Sequence, residues 1–73
     1  IKPEDVLAHV MRGFAYTYIR EFDKAIADYT EAIRLDPTNA VAYYNRGLAY
    51  KVKGDMTKAA PDLIRGRELG FQD

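Results

Sequence analysis

Residues 12–16 read RGFAY, and 34 residues further on, residues 46–50 read RGLAY. Working outward from this pair, residues 6–39 can be laid over residues 40–73 without a gap. Nine of those 34 pairs are identical: Ala8/Ala42, Arg12/Arg46, Gly13/Gly47, Ala15/Ala49, Tyr16/Tyr50, Lys24/Lys58, Ala25/Ala59, Asp28/Asp62 and Leu35/Leu69. Average residue usage would give about two by chance. Phe14/Leu48, Glu21/Asp55 and Phe22/Met56 are like for like. A fixed period of this length marks a repeat architecture, in which each unit is one supersecondary element that cannot bury its apolar face alone.

Each unit reads as two helices. Pro3, Glu4 and Asp5 open the first, since Pro suits the first helical position and acids suit the positive end of the helix dipole. REFD (residues 20–23) is a short break. The second helix is expected from about Phe22 to Leu35, with Phe22, Ala25, Ile26, Tyr29, Ala32 and Ile33 at helical spacing. Pro37 stops it, and Thr38 or Asn39 can cap the third helix, expected over about residues 40–53. Gly54 ends that helix, Asp55 caps a fourth running to about Leu69, and Gly70 stops the fourth. Short connections make neighbouring helices antiparallel. Pro61 falls inside the fourth helix, where Pro costs about 3 kcal/mol, so a kink or a late start near Thr57 is expected.

This order of residues resembles the tetratricopeptide repeat (TPR) family, whose 34-residue units are helix–turn–helix elements. Unit one matches through Gly13, Tyr16, Ala25, Tyr29, Ala32 and Pro37, and unit two through Tyr43, Gly47, Tyr50 and Ala59, with Leu63 and Gly66 matching less well. The match spans residues 6–69 and is densest over residues 23–50, DKAIADYTEAIRLDPTNAVAYYNRGLAY. The resemblance implies an all-α fold, a short α-solenoid of four antiparallel helices in one domain over residues 1–73. Repeat one is residues 6–39. Repeat two is residues 40–73, with no capping helix after it. Gly13 with Ala25, and Gly47 with Ala59, would let the paired helices approach closely, with Tyr16 and Tyr50 at the wider end. His9, Arg12 and Arg46 depart from the family pattern, which favours an aromatic and Leu at these places.

Bulk composition narrows the function. Eleven Lys plus Arg balance eleven Asp plus Glu, so there is no basic excess of the kind that neutralises nucleic-acid phosphates. No apolar run nears the roughly 18 residues that span a bilayer. With no Cys, neither a disulfide nor a thiolate metal site is available. An initial Ile reads as the start of an excised piece of a longer chain.

Catalysis and cofactors are not expected. The chain has no Ser, no Cys and a single His, so no Ser/His or Cys/His nucleophile–base pair can be assembled. Asp5 and His9 lie four apart on a helix, which gives two metal ligands at most and reads as a solvated charge pair. Asp28 and Glu31 read as an exposed charged stripe. Gly13 and Gly47 lie inside helices and form no phosphate loop. The six tyrosines mostly occupy repeat positions, which packing explains better than base stacking.

Surface remains. In the family that this chain resembles, the first helix of each unit lines a concave groove that holds partners. The corresponding positions are Leu7, Val10, Met11, Phe14, Thr17 and Tyr18, followed by Val41, Tyr44, Asn45, Leu48, Lys51 and Val52. Periodicity independently supports one stripe, since Leu7, Val10, Phe14 and Thr17 share the spacing of Val41, Tyr44, Leu48 and Lys51. The carboxylate clamp that some relatives use on acidic chaperone tails is poorly matched, with Val10 and Phe14 where it needs Lys and Asn, and only Asn45 in place. The expected function is a protein–protein interaction module of the scaffold or adaptor type, binding a protein or peptide through an apolar groove, with no nucleic-acid or membrane partner. The alternative is a self-associating unit whose groove or end faces are filled by another copy. An open fourth helix presenting Ala60 and Ile64 beside Met56, Ala59 and Leu63 favours a homo-oligomer, expected as a closed symmetric assembly.

Overall fold

The computed structural model describes residues 2–72, so the expected domain ends, Ile1 and Asp73, lie outside the described residues. It contains four helices and, among the described residues, no strand: α1 (Pro3–Tyr18), α2 (Phe22–Leu35), α3 (Ala40–Val52) and α4 (Met56–Glu68). α1 packs on α2 and α3 on α4, while α2 also packs on α3 and joins the two pairs into one stack.

Local chemistry sets each boundary. Pro3 takes the first position of α1, and Glu4 and Asp5 occupy its first turn. Asn39 caps α3 by accepting from the Ala42 N–H, and Asp55 caps α4 by accepting from the Lys58 N–H. α1, α3 and α4 end in the same double closure. After α3, the Gly54 N–H donates to the Lys51 carbonyl and the Asp55 N–H to the Tyr50 carbonyl. That closure requires a left-handed residue, and glycine supplies it after α3 (Gly54, φ 86°) and α4 (Gly70, φ 113°). After α1 the same place is taken by Arg20, at φ 65°. α4 begins at Met56, directly after its Asp55 cap and not late as Pro61 suggested, and it continues through Pro61 to Glu68. The N–H that Pro61 lacks would have served the carbonyl of Thr57, an exposed residue.

Within each pair, a glycine on the first helix receives a large side chain from the second. A Cβ on Gly13 would stand 2.8 Å from Cζ of Tyr29, whose side chain is wholly buried. A Cβ on Gly47 would stand 2.9 Å from the Leu63 side chain. Ala25 and Ala59 are fully buried, as close helix approach requires. Between the pairs, Val6, Val10, Ala32 and Ala42 form a small core, with Ile33 and Leu35 packed against it. Met56, expected beside Ala59 and Leu63 in the core stripe of α4, is instead 50% exposed, because among the described residues only α3 packs on α4.

Candidate functional site

An open apolar groove of about 850 Å³ runs between the first helices of the two pairs. α1 contributes Pro3, Val6, Leu7, Val10 and Phe14; the α2–α3 link contributes Leu35, Asp36 and Asn39; α3 contributes Val41 and Asn45; and Phe71 closes one side. Its size lies within the range of sites that hold ligands. Val6 and Val10 are buried in its floor, whereas Leu7, Phe14 and Val41 remain 58%, 38% and 37% exposed. Exposed apolar surface of this kind is a common feature of interaction sites.

The side chains at the groove are held from behind. Phe14 leans on Tyr29, ring centroids 6.2 Å apart and tilted by 60°. Thr17 donates to the Gly13 carbonyl and meets the Tyr29 hydroxyl at 3.2 Å; burial raises the Tyr29 phenol above its usual range, against the opposing effect of the Thr17 hydrogen bond. Phe71 stacks almost parallel on Tyr44, centroids 4.0 Å apart, and the Arg67 guanidinium lies 5.5 Å from the same tyrosine ring. The Phe71 N–H donates to the Gly66 carbonyl, so the closure of α4 delivers the ring to the groove. Polar character is sparse. Asn45 donates from Nδ2 to the Val41 carbonyl, and Asn39 is engaged as a helix cap. Asp36 accepts from both the N–H and the hydroxyl of Thr38 at Oδ1. It is the one charged side chain in the lining among the described residues.

Of the twelve groove positions expected from the sequence, Leu7, Val10, Phe14, Val41 and Asn45 line this groove. Met11, Thr17, Tyr18, Tyr44, Leu48, Lys51 and Val52 do not. Met11, Tyr18, Leu48 and Val52 stand exposed elsewhere on the surface, Lys51 is exposed near the end of α3, and Tyr44 lies under Phe71. Pro3, Val6, Leu35, Asp36, Asn39 and Phe71 were not legible as lining residues. Val6 alone carried a signal, lying at i−4 from Val10 on the apolar stripe of α1.

Charged residues elsewhere correct two expectations. Asp28 is not part of an exposed stripe: it is 3% exposed and held by Arg12, which donates from Nε at 2.9 Å and from Nη2 at 2.7 Å. His9 does not pair with Asp5 but turns to Asp28, Nδ1 to Oδ1 at 3.3 Å. The Arg12 hydrogen bonds hold the Asp28 carboxyl below the usual carboxylate range, and His9 adds to the effect. One repeat later, Arg46 grips Asp62 from Nε and Nη2 at 2.7 and 2.8 Å, and reaches from Nη1 to the Thr30 hydroxyl across the α2–α3 junction. Lys53 crosses the same junction to Asp23. Glu31 is paired with Arg34, which lowers its carboxyl. No set of three metal-ligating side chains gathers among the described residues, and no described helix is long and apolar enough to cross a membrane.

Known proteins resemble this chain over the same elements. The sequence model of the TPR repeat matches residues 20–54. Hsc70-interacting protein 1 of Drosophila melanogaster is 32% identical over 73 residues, all of this chain and 19% of that protein. Serine/threonine-protein phosphatase 5 of Homo sapiens is 39% identical over 54 residues, 74% of this chain and 11% of that protein. Tetratricopeptide repeat protein 28 of Mus musculus is 41% identical over 49 residues, 67% of this chain and 2% of that protein. The chain thus spans a fifth or less of the length of these relatives. Together with the paired helices and the 34-residue period, these matches establish that the chain belongs to the tetratricopeptide repeat family, whose units are non-catalytic modules that bind proteins or peptides.

Proposed function

We propose that this chain is a binding module, without catalytic activity, that seats an apolar segment of a partner protein in the groove between α1 and α3. The observation that carries the reading is the lining itself: Leu7, Phe14, Val41 and Phe71 present apolar surface around a floor of Val6 and Val10. An amphipathic helix or an extended peptide with apolar anchors fits such a surface. An acidic tail does not. Pairing with carboxylates requires cations in the groove, and among the described residues the only charge in this lining is the carboxylate of Asp36. Hsc70-interacting protein 1 bears Hsc70 in its name as a partner; for this chain a comparable contact through the groove would use apolar segments, not an acidic terminus. Residues 1–73 then act as one domain of two repeats, 6–39 and 40–73, suited to a scaffold or adaptor role.

Fluorescence anisotropy with two labelled peptides tests this reading. One carries Leu and Phe at helical spacing, and the other is an acidic C-terminal tail. The apolar peptide is expected to bind at least about tenfold more tightly, and Leu7→Lys to weaken it by a similar factor. Tighter binding of the acidic tail, lost on Asn45→Ala, would overturn the proposal.

A second reading, self-association, is favoured by the uncovered faces of α1 and α4. Met56 and Ile64 on α4 are 50% and 56% exposed, and Ile19, just beyond α1, is 62% exposed.

A further inference from the structure

Asp36, the charged side chain in the groove lining, is half-buried and held in place. Its N–H donates to the Ala32 carbonyl at 2.8 Å, and its carbonyl accepts from the Asn39 N–H at 3.1 Å. Its Oδ1 accepts from the Thr38 N–H at 3.1 Å and from the Thr38 hydroxyl at 2.8 Å. A carboxylate offers about two acceptor sites on each oxygen, so Oδ1 is filled. No described residue donates to Oδ2. Asp28 and Asp62 differ, since each spends both oxygens on an arginine of the facing helix.

A segment seated in the groove displaces water from the lining. A purely apolar occupant would leave this carboxylate without a partner in a drier site, which costs affinity. We infer that the segment carries a lysine beside its apolar anchors, and that the lysine ammonium pairs with Asp36 Oδ2. The inference rests on the groove reading and names the chemistry of the occupant.

Lysine fits this carboxylate better than arginine for two reasons. An arginine fork places an N–H on each carboxylate oxygen, and Oδ1 is already filled, whereas an ammonium needs one oxygen only. The lysine stem, moreover, covers apolar lining such as Val6 and Leu35 while its head reaches the charge. The surrounding field does not make the selection. Glu4 and Asp5 stand exposed in the first turn of α1, but Lys2 precedes them and Arg67 lies over Tyr44. Selection falls to Asp36.

Fluorescence anisotropy tests this with peptides that share Leu and Phe anchors at helical spacing and differ at one position, which holds Lys, Arg or Gln. That position precedes the first anchor in one set and follows the last in another. In one set the Lys peptide is expected to bind at least about fivefold more tightly than the Gln peptide, and more tightly than the Arg peptide. Asp36→Asn keeps a side-chain oxygen for Thr38 and removes the charge, so it is expected to bring the Lys-to-Gln ratio down to about one. Should that variant not fold, the peptide comparison on the unaltered chain decides. Equal affinity of the Lys and Gln peptides in both sets, a Lys preference that survives Asp36→Asn, or tighter binding of the Arg peptide would overturn the lysine pairing while leaving the groove reading in place. Binding by none of the peptides would overturn both.

Discussion

Arg12 holds Asp28 through two nearly parallel hydrogen bonds, Nε to Oδ2 and Nη2 to Oδ1, and Arg46 holds Asp62 in the same way one repeat later. Each pair ties the first helix of a unit to the second. Bidentate pairing of this kind fixes geometry as well as contributing energy. The arginines replace apolar residues that the family favours, and the fold accommodates them by supplying an aspartate on the facing helix.

The pair nearer the start makes stability sensitive to acid. The Asp28 carboxyl titrates below its ordinary range when folded, so its contribution is present at neutral pH and is lost as pH falls below about 4 toward the folded value. Arg12 is largely exposed, which screens the pair, so Asp28→Asn is expected to cost about 1–2 kcal/mol at pH 7. The difference between variant and parent should shrink as pH drops from 5 to 2. Urea unfolding at several pH values measures this, and a cost that stays constant across that range would mean the pair is not what Asp28 contributes.

Gly13 is predicted to tolerate no side chain. Alanine would gain up to about 1 kcal/mol of helix propensity, but its Cβ meets the buried Tyr29 ring, and overpacking of a core costs about 1–3 kcal/mol. Gly13→Ala should therefore lower stability, and Gly13→Leu should lower it further. A denaturation midpoint unchanged in Gly13→Ala would show that α1 and α2 can part without loss.

The left-handed closures provide a graded comparison. Gly54→Ala places a Cβ at φ 86° and is expected to cost about 1 kcal/mol. At Arg20, relief of the left-handed strain in Arg20→Gly is offset by extra freedom in the unfolded chain and by loss of the guanidinium over Phe22, 5.2 Å from its centroid. That variant should stay within about 0.5 kcal/mol of the parent. Thermal unfolding distinguishes the two, and a fully stable Gly54→Ala would contradict the account of how α3 ends.

Much of this fold was legible in the sequence, for identifiable reasons. The period set the number of helices, and Pro3, Asn39, Asp55, Gly54 and Gly70 punctuated them through interactions that act over a few residues. The Arg–Asp pairs were also written there, as two identities kept at the same offset in both repeats, yet Asp28 read as a surface residue because helical spacing alone does not reveal a partner on another helix. The groove was half legible. Leu7, Phe14 and Val41 follow the stripe on the first helices, but Leu35, Asp36 and Asn39 enter through a link, and Phe71 enters through the closure of α4. Such placements depend on tertiary geometry, which no local period encodes.

Phe71 links stability and binding. Its stack on Tyr44 is worth about 0.5–1.5 kcal/mol, and its ring closes one side of the groove. Phe71→Ala is expected to lower the denaturation midpoint by a matching amount and to weaken binding of the apolar peptide. Unaltered affinity in that variant would remove Phe71 from the binding surface.

The central claim is that partners enter the groove between α1 and α3 through apolar contacts. The most direct measurement is nuclear magnetic resonance of the isotopically labelled chain titrated with the apolar peptide, following amide and methyl signals residue by residue. The largest shifts are expected at Leu7, Phe14, Val41, Asn45 and Phe71, with little change at Met56 and Ile64. Shifts concentrated on the α4 face, or a groove that responds only to the acidic tail, would contradict it.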